Sequence, residues 1–157
     1  MRVSAAEVVS RKELKPMPLK LSLKPQEKFV LNGAVVTNGD KRTSLVLQNK
    51  ACVLREKDFM QPEHATTPAR RIYFPIMMMY LDPGEDEKYY NDFALRMTEF
   101  MGAVRNREVL GTCLEISRQV MGGSYYRALM LCRRLFEFEQ ERLNYESQGL
   151  PKYAANR

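Results

Sequence analysis

Residues 66–83 read Thr-Thr-Pro-Ala-Arg-Arg-Ile-Tyr-Phe-Pro-Ile-Met-Met-Met-Tyr-Leu-Asp-Pro. Thr67 before Pro68 is a helix-start signal: a hydroxyl to cap free backbone N–H groups, then a proline at the first helical position, where no donor is needed. Asp82-Pro83-Gly84 is a stop signal. From Ile72 to Leu81 every residue except Pro75 is apolar or aromatic. A run with no polar face has to be buried, and this one is far shorter than the ~20 residues that cross a bilayer. It predicts a central helix, kinked near Pro75, against which both halves of the chain pack. A short strand through Phe74 followed by a turn is the alternative, and Pro75 removes a backbone donor from either. Met77, Met78 and Met79 suit core filling or an adaptable protein-binding surface, and the general burial of methionine favours the core.

Outward from this stretch the chain changes character. Its 157 residues suit one domain, or a small domain with an appendage, and 45% apolar content is enough for a core. Residues 1–18 carry a net charge of +2, residues 19–71 a net +5 and residues 72–157 a net −1. The positive excess lies in the first half and favours a polyanionic partner there, most simply nucleic acid; a solvated basic surface is the plain alternative. Cys52, Cys113 and Cys132 are odd in number and widely spaced, which excludes a disulfide framework and fits a reducing cytoplasm. No segment reads as a signal peptide or a membrane span. Residues 1–16 read as a flexible leader, and Met17 as an alternative translation start.

Residues 17–65 read as a basic β domain. Leu19, Leu21 and Leu23 alternate with Lys20, Ser22 and Lys24, the period of a half-buried strand. Asn32-Gly33 between two apolar runs is a strong hairpin signal, since both turn positions need positive φ. Asn38-Gly39-Asp40 and Gln48-Asn49-Lys50 mark two further turns. The expectation is an antiparallel meander of about five short strands. Its polar face and turns carry Lys20, Lys24, Lys28, Lys41, Arg42, Lys50, Arg55 and Lys57. Arg70 and Arg71 follow in the first turn of the central helix, where they oppose the helix dipole, a cost that raises the odds of contact with an anion or a carboxylate. These ten cations are the candidate nucleic-acid-binding residues, and RNA-binding ones if the nucleic acid is RNA.

Residues 66–144 read as a helical domain of about four helices, and 145–157 as a frayed tail. Tyr90, Phe93, Met97, Phe100, Met101 and Val104 form one apolar face behind the acidic start Glu85-Asp86-Glu87. Asn106 starts the next helix, with Val109, Cys113, Ile116 and Val120 inward. Gly122-Gly123 stops it, and Ser124 caps the last helix, whose inward stripe is Tyr125, Leu129, Cys132 and Phe136. Met130, Leu131 and Phe138 lie off that stripe, so they are candidates for a partner surface or for burial on a second side. The fold class is α+β.

Enzyme chemistry has no foothold. There is no phosphate-binding glycine loop, zinc spacing or nucleophile elbow. His64, the sole histidine, sits in a loop far in sequence from the cysteines, so no metal site and no cofactor are expected. The carboxylates Glu85–Glu87 fit a helix start, and Glu137, Glu139 and Glu141 fit a solvated helix face.

Residues 19–23, 28–36, 45–49, 53–58 and 67–80 together resemble the FlbT family of flagellum biosynthesis regulators, with similarity continuing through Phe100-Met101 and Tyr125–Met130. The leader 1–16 is not part of the family pattern. Gln26 stands where the family commonly has glycine, and Phe59 where it has isoleucine. The resemblance implies a cytoplasmic, non-enzymatic, post-transcriptional repressor of flagellin synthesis. Such a protein associates with the 5′ untranslated region of flagellin mRNA, promotes its degradation and acts opposite a FlaF-type regulator. The alternative is a protein-binding adaptor or chaperone-like module for flagellin or a FlaF-type partner, with an indirect effect on the mRNA.

Overall fold

The computed structural model describes residues 18–149. The expected leader, Met17 and the chain beyond Gly149 lie outside them. The chain divides between Asp58 and Phe59 into two compact units. It is α+β as the sequence predicts: five strands, all paired antiparallel, precede four α-helices.

In the first unit the strands are β1 (Leu19–Leu23), β2 (Lys28–Leu31), β3 (Ala34–Thr37), β4 (Thr43–Leu47) and β5 (Val53–Arg55). Their order is not that of a meander. β1 pairs with β4, and β2 lies between β3 and β5. Only β2–β3 is a simple hairpin, closed by Asn32 and Gly33 at φ 48° and 83°. The physical reason lies after Leu23. The chain turns at Pro25-Gln26, Gln26 N–H donates to the Gly39 carbonyl at 3.0 Å, and Asn38 N–H donates to the Glu27 carbonyl at 2.9 Å. These bonds draw the end of the hairpin against the end of β1, so β1 is left to pair with the strand that follows the hairpin. Both sheets feed one cluster: Leu21, Leu23, Phe29 and Val53 at its centre, with Leu31, Val36, Leu45, Leu47 and Ala51 packed around them. The alternation of β1 therefore turns Lys20, Ser22 and Lys24 outward, and all three are exposed.

The second unit holds α1 (Pro68–Leu81), α2 (Asp86–Ala103), α3 (Arg107–Met121) and α4 (Tyr125–Gly149). α1 forms over the stretch where the sequence predicts a helix, with Pro75 inside it, and the strand alternative falls away. It packs against both α2 and α4, while α3 packs chiefly on α4. Ile72, Ile76 and Met77 are wholly buried, Met79 nearly so, and Met78 partly, so the methionine run is mostly core. Asn106 caps α3 by accepting from the Glu108 and Val109 N–H groups at 2.9 and 3.2 Å. Gly123, at φ 75°, carries the left-handed turn that releases the chain into α4.

Candidate nucleic-acid and partner surfaces

The ten candidate cations fall into separate groups. In the first unit, Lys24 follows the Leu23–Thr43 pair, Arg42 precedes it, and Lys28 lies opposite Thr37. With Lys41 these make four exposed cations at one end of the β unit. A hydrogen-bonded frame holds that end. The Asn38 side-chain amide donates to the carbonyls of Lys24 and Lys41 at 2.7 and 3.0 Å, and the Gln26 amide donates to Asp40. Glu27 accepts from the Lys24 N–H at 2.8 Å and pairs with Arg55 at 3.0 Å. The Lys24 N–H foremost holds the Glu27 carboxyl below its ordinary value; burial opposes it, and the Arg55 guanidinium adds to the lowering.

Arg55 is thus engaged in holding the frame together, since it also donates to the Ser22 carbonyl at 3.1 Å. Lys20 lies nearer the other end of β1, opposite Val46, and Lys50 follows β4 in the loop to β5. Lys57 lies in the 3-10 turn Glu56–Asp58. Arg70 and Arg71 belong to the helical unit. In the first unit the described aromatic residue is Phe29, and it is buried, so that unit offers no open ring for a base to stack on.

The start of α1 has a feature the sequence does not announce. The Arg70 N–H donates to the Thr67 hydroxyl oxygen at 3.2 Å, as the cap signal predicts. The Thr67 hydroxyl in turn donates to one Glu139 oxygen at 2.8 Å, and the Ala69 N–H donates to the other at 3.2 Å. A carboxylate from α4 therefore completes the helix end, where negative charge is favoured by the dipole. Glu139 is partly buried, so the expected solvated face of Glu137, Glu139 and Glu141 is corrected at its middle member. Arg70 and Arg71 reach the carbonyls of His64 and Ala65 at 3.5 and 3.4 Å. The signal for Glu139 was absent because its partners lie 72 and 70 residues away in sequence.

The partner candidates also separate. Met130 and Leu131 line an open groove between α3 and α4 together with Tyr126, flanked by Arg127 and Arg134. Phe138 lines a different cleft, of about 460 Å³, formed by the start of α1, the end of α2 and the far part of α4. All three are partly buried. Among the described residues no three His, Cys, Asp or Glu side chains converge as metal ligands, and no helix is long and apolar enough to cross a membrane.

A five-stranded unit that carries eight of the ten candidate cations is followed by four helices that carry the two clefts. A family model described as "Flagellar protein FlbT" matches residues 19–143, and the chain belongs to that family. It is 66% identical over 134 residues to the flagellum biosynthesis repressor protein FlbT of Caulobacter vibrioides, covering 85% of this chain and 95% of that one. The probable flagellum biosynthesis repressor protein FlbT of Rhodopseudomonas palustris is 38% identical over 130 residues, 82% of this chain and 99% of its own. That of Brucella anthropi is 32% identical over 139 residues, 88% and 91% of the two chains. No solved structure matches the chain.

Proposed function

We propose that this chain is a non-enzymatic repressor of flagellum biosynthesis that acts in the cytoplasm after transcription. It binds the 5′ untranslated region of flagellin mRNA directly and promotes degradation of the message. The repressor role rests on the names of its relatives. The RNA contact rests on one observation: Lys24, Lys28, Lys41 and Arg42 gather, exposed, around the hydrogen-bonded Asn38 frame. With no open aromatic ring beside them, the chemistry available is phosphate neutralisation, supplemented by hydrogen bonds from turn residues such as Asn49.

The test is binding of the full chain to a flagellin leader RNA across a salt series. Four phosphate contacts give a slope of log affinity against log salt of about −3 for a single strand. Reversing Lys41 and Arg42 to Glu is expected to flatten the slope to about −1 and weaken binding more than tenfold at low salt. A slope near zero in the parent chain would remove the direct-contact reading.

A second reading is supported by the groove of Tyr126, Met130 and Leu131. In it the chain is an adaptor for flagellin or a FlaF-type regulator, and its effect on the mRNA is indirect. That reading gains if Leu131→Asp abolishes repression while RNA binding by the purified chain is unchanged.

A further inference from the structure

The cleft at the start of α1 is separate from both surfaces used above. Its floor is apolar, with Phe100, Val104 and Phe138, and Leu143 stands at its edge 54% exposed. Two carboxylates line it, and both have hydrogen-bond or ion-pair partners within the protein. Glu139 accepts from the Thr67 hydroxyl and the Ala69 N–H, and Glu99 pairs with Arg96 at 3.6 Å. Arg71, also in the lining, is exposed and has no ion pair among the described residues. Its Nε donates to the Ala65 carbonyl at 3.4 Å, a long bond that leaves a planar fork of donors suited to a carboxylate. Arg71, Arg96 and Arg142 stand in the lining against Glu99 and Glu139, so the net charge at the cleft is positive, beside an apolar floor.

We propose that this cleft is a docking site for an amphipathic helix of a partner protein, whose apolar stripe enters the cleft and whose flanking Asp or Glu meets Arg71. The volume, about 460 Å³, lies within the range of ligand-sized clefts and takes roughly two or three aliphatic side chains. RNA is the poorer occupant. Phe100 is almost wholly buried and Phe138 partly so, which leaves no open ring in the floor for a base. Charge complementarity points the same way. A helix with a basic margin would set its cations against Arg71, with both lining carboxylates already engaged. The site does not depend on the RNA contact proposed for the β unit.

The experiment uses the full chain and fluorescein-labelled 18-residue helical peptides. One carries a leucine stripe flanked by Glu, a second has Lys in place of Glu, and a third scrambles the stripe. The acidic peptide is expected to bind at least tenfold tighter than either other peptide. Arg71→Glu and Leu143→Asp, both at exposed positions, are expected each to weaken it about tenfold with thermal unfolding unchanged. The Lys41 and Arg42 reversals are expected to leave peptide binding as it was, so loss of the RNA contact and loss of the peptide site are read separately. Absent binding, equal affinity for the acidic and basic peptides, or indifference to both cleft substitutions would overturn the proposal. So would a leader RNA whose binding falls with Arg71→Glu and Leu143→Asp, since that would place the oligonucleotide in the cleft.

Discussion

Gln26 has φ 60°, in the left-handed region where a side chain is strained and glycine is not. The amide recovers part of that cost by donating to Asp40, but the pair is exposed and of small value. Gln26→Gly is therefore expected to stabilise the chain by about 0.5–1 kcal/mol, seen as a higher urea midpoint. A lower midpoint would show that the Asp40 bond outweighs the backbone strain. Glu139 is the opposite kind of residue, ordinary in its backbone and costly to remove. Glu139→Ala leaves the Ala69 N–H and the Thr67 hydroxyl without their acceptor and takes a negative charge from a helix N-terminus. A loss of about 2 kcal/mol is expected in thermal or chemical unfolding. Glu139→Gln, which keeps an acceptor oxygen and loses the charge, should cost about half as much. Equal stability of all three proteins would mean that the cap has no energetic content.

At the scale of elements, the sequence declared the existence and both ends of α1. The Thr67-Pro68 start, the apolar run and the Asp82-Pro83 stop are local signals, and local signals fix existence and ends. The Asn32-Gly33 hairpin was equally legible, because positive φ at two successive residues leaves few residue types to choose from. Strand order was not. Whether β1 pairs with β2 or with β4 depends on Asn38 and Gln26 reaching across the turn, and no periodicity records such contacts. The candidate cations suffered likewise: spacing marked which side chains point outward, but the four that converge were set by that strand order. The same frame carries a pH dependence. Glu27 has its carboxyl held below the ordinary value of 4.5, so its contribution to folding is present above that value and is lost as pH falls through the lowered one. Protection of the β1 and β4 amides, taken against the intrinsic exchange rate at each pH, is expected to fall in the parent chain as pH drops below the ordinary carboxyl value of 4.5. In Glu27→Gln that protection should already be reduced at pH 7 and should change little on acidification, so the two proteins converge at low pH.

Across the whole molecule the three cysteines report on the two units separately. Cys52 lies partly exposed in the β unit, whereas Cys113 and Cys132 are completely buried in the helical unit. Burial pushes the Cys113 thiol up to about 11 and raises Cys132 further, with a smaller contribution from Cys113 beside it. Neither can act as a thiolate at neutral pH while the helices stay packed. Cys113 is on α3 and Cys132 on α4, and α3 packs chiefly on α4. Detachment of α3 would therefore expose both thiols in one event, whereas a general loosening of the unit would expose them one after the other. The expected result with a neutral aromatic disulfide reagent at pH 7.5 is one thiol labelled rapidly and two labelled slowly, at a common rate that rises steeply with sub-denaturing urea. Peptide mapping of the labelled chain assigns the fast site to Cys52 and the slow pair to Cys113 and Cys132. Unequal rates for the slow pair would mean that α3 does not open as a unit. Fast labelling of all three would mean that α3 is scarcely held, and the groove between α3 and α4 would then be the weaker of the two partner surfaces.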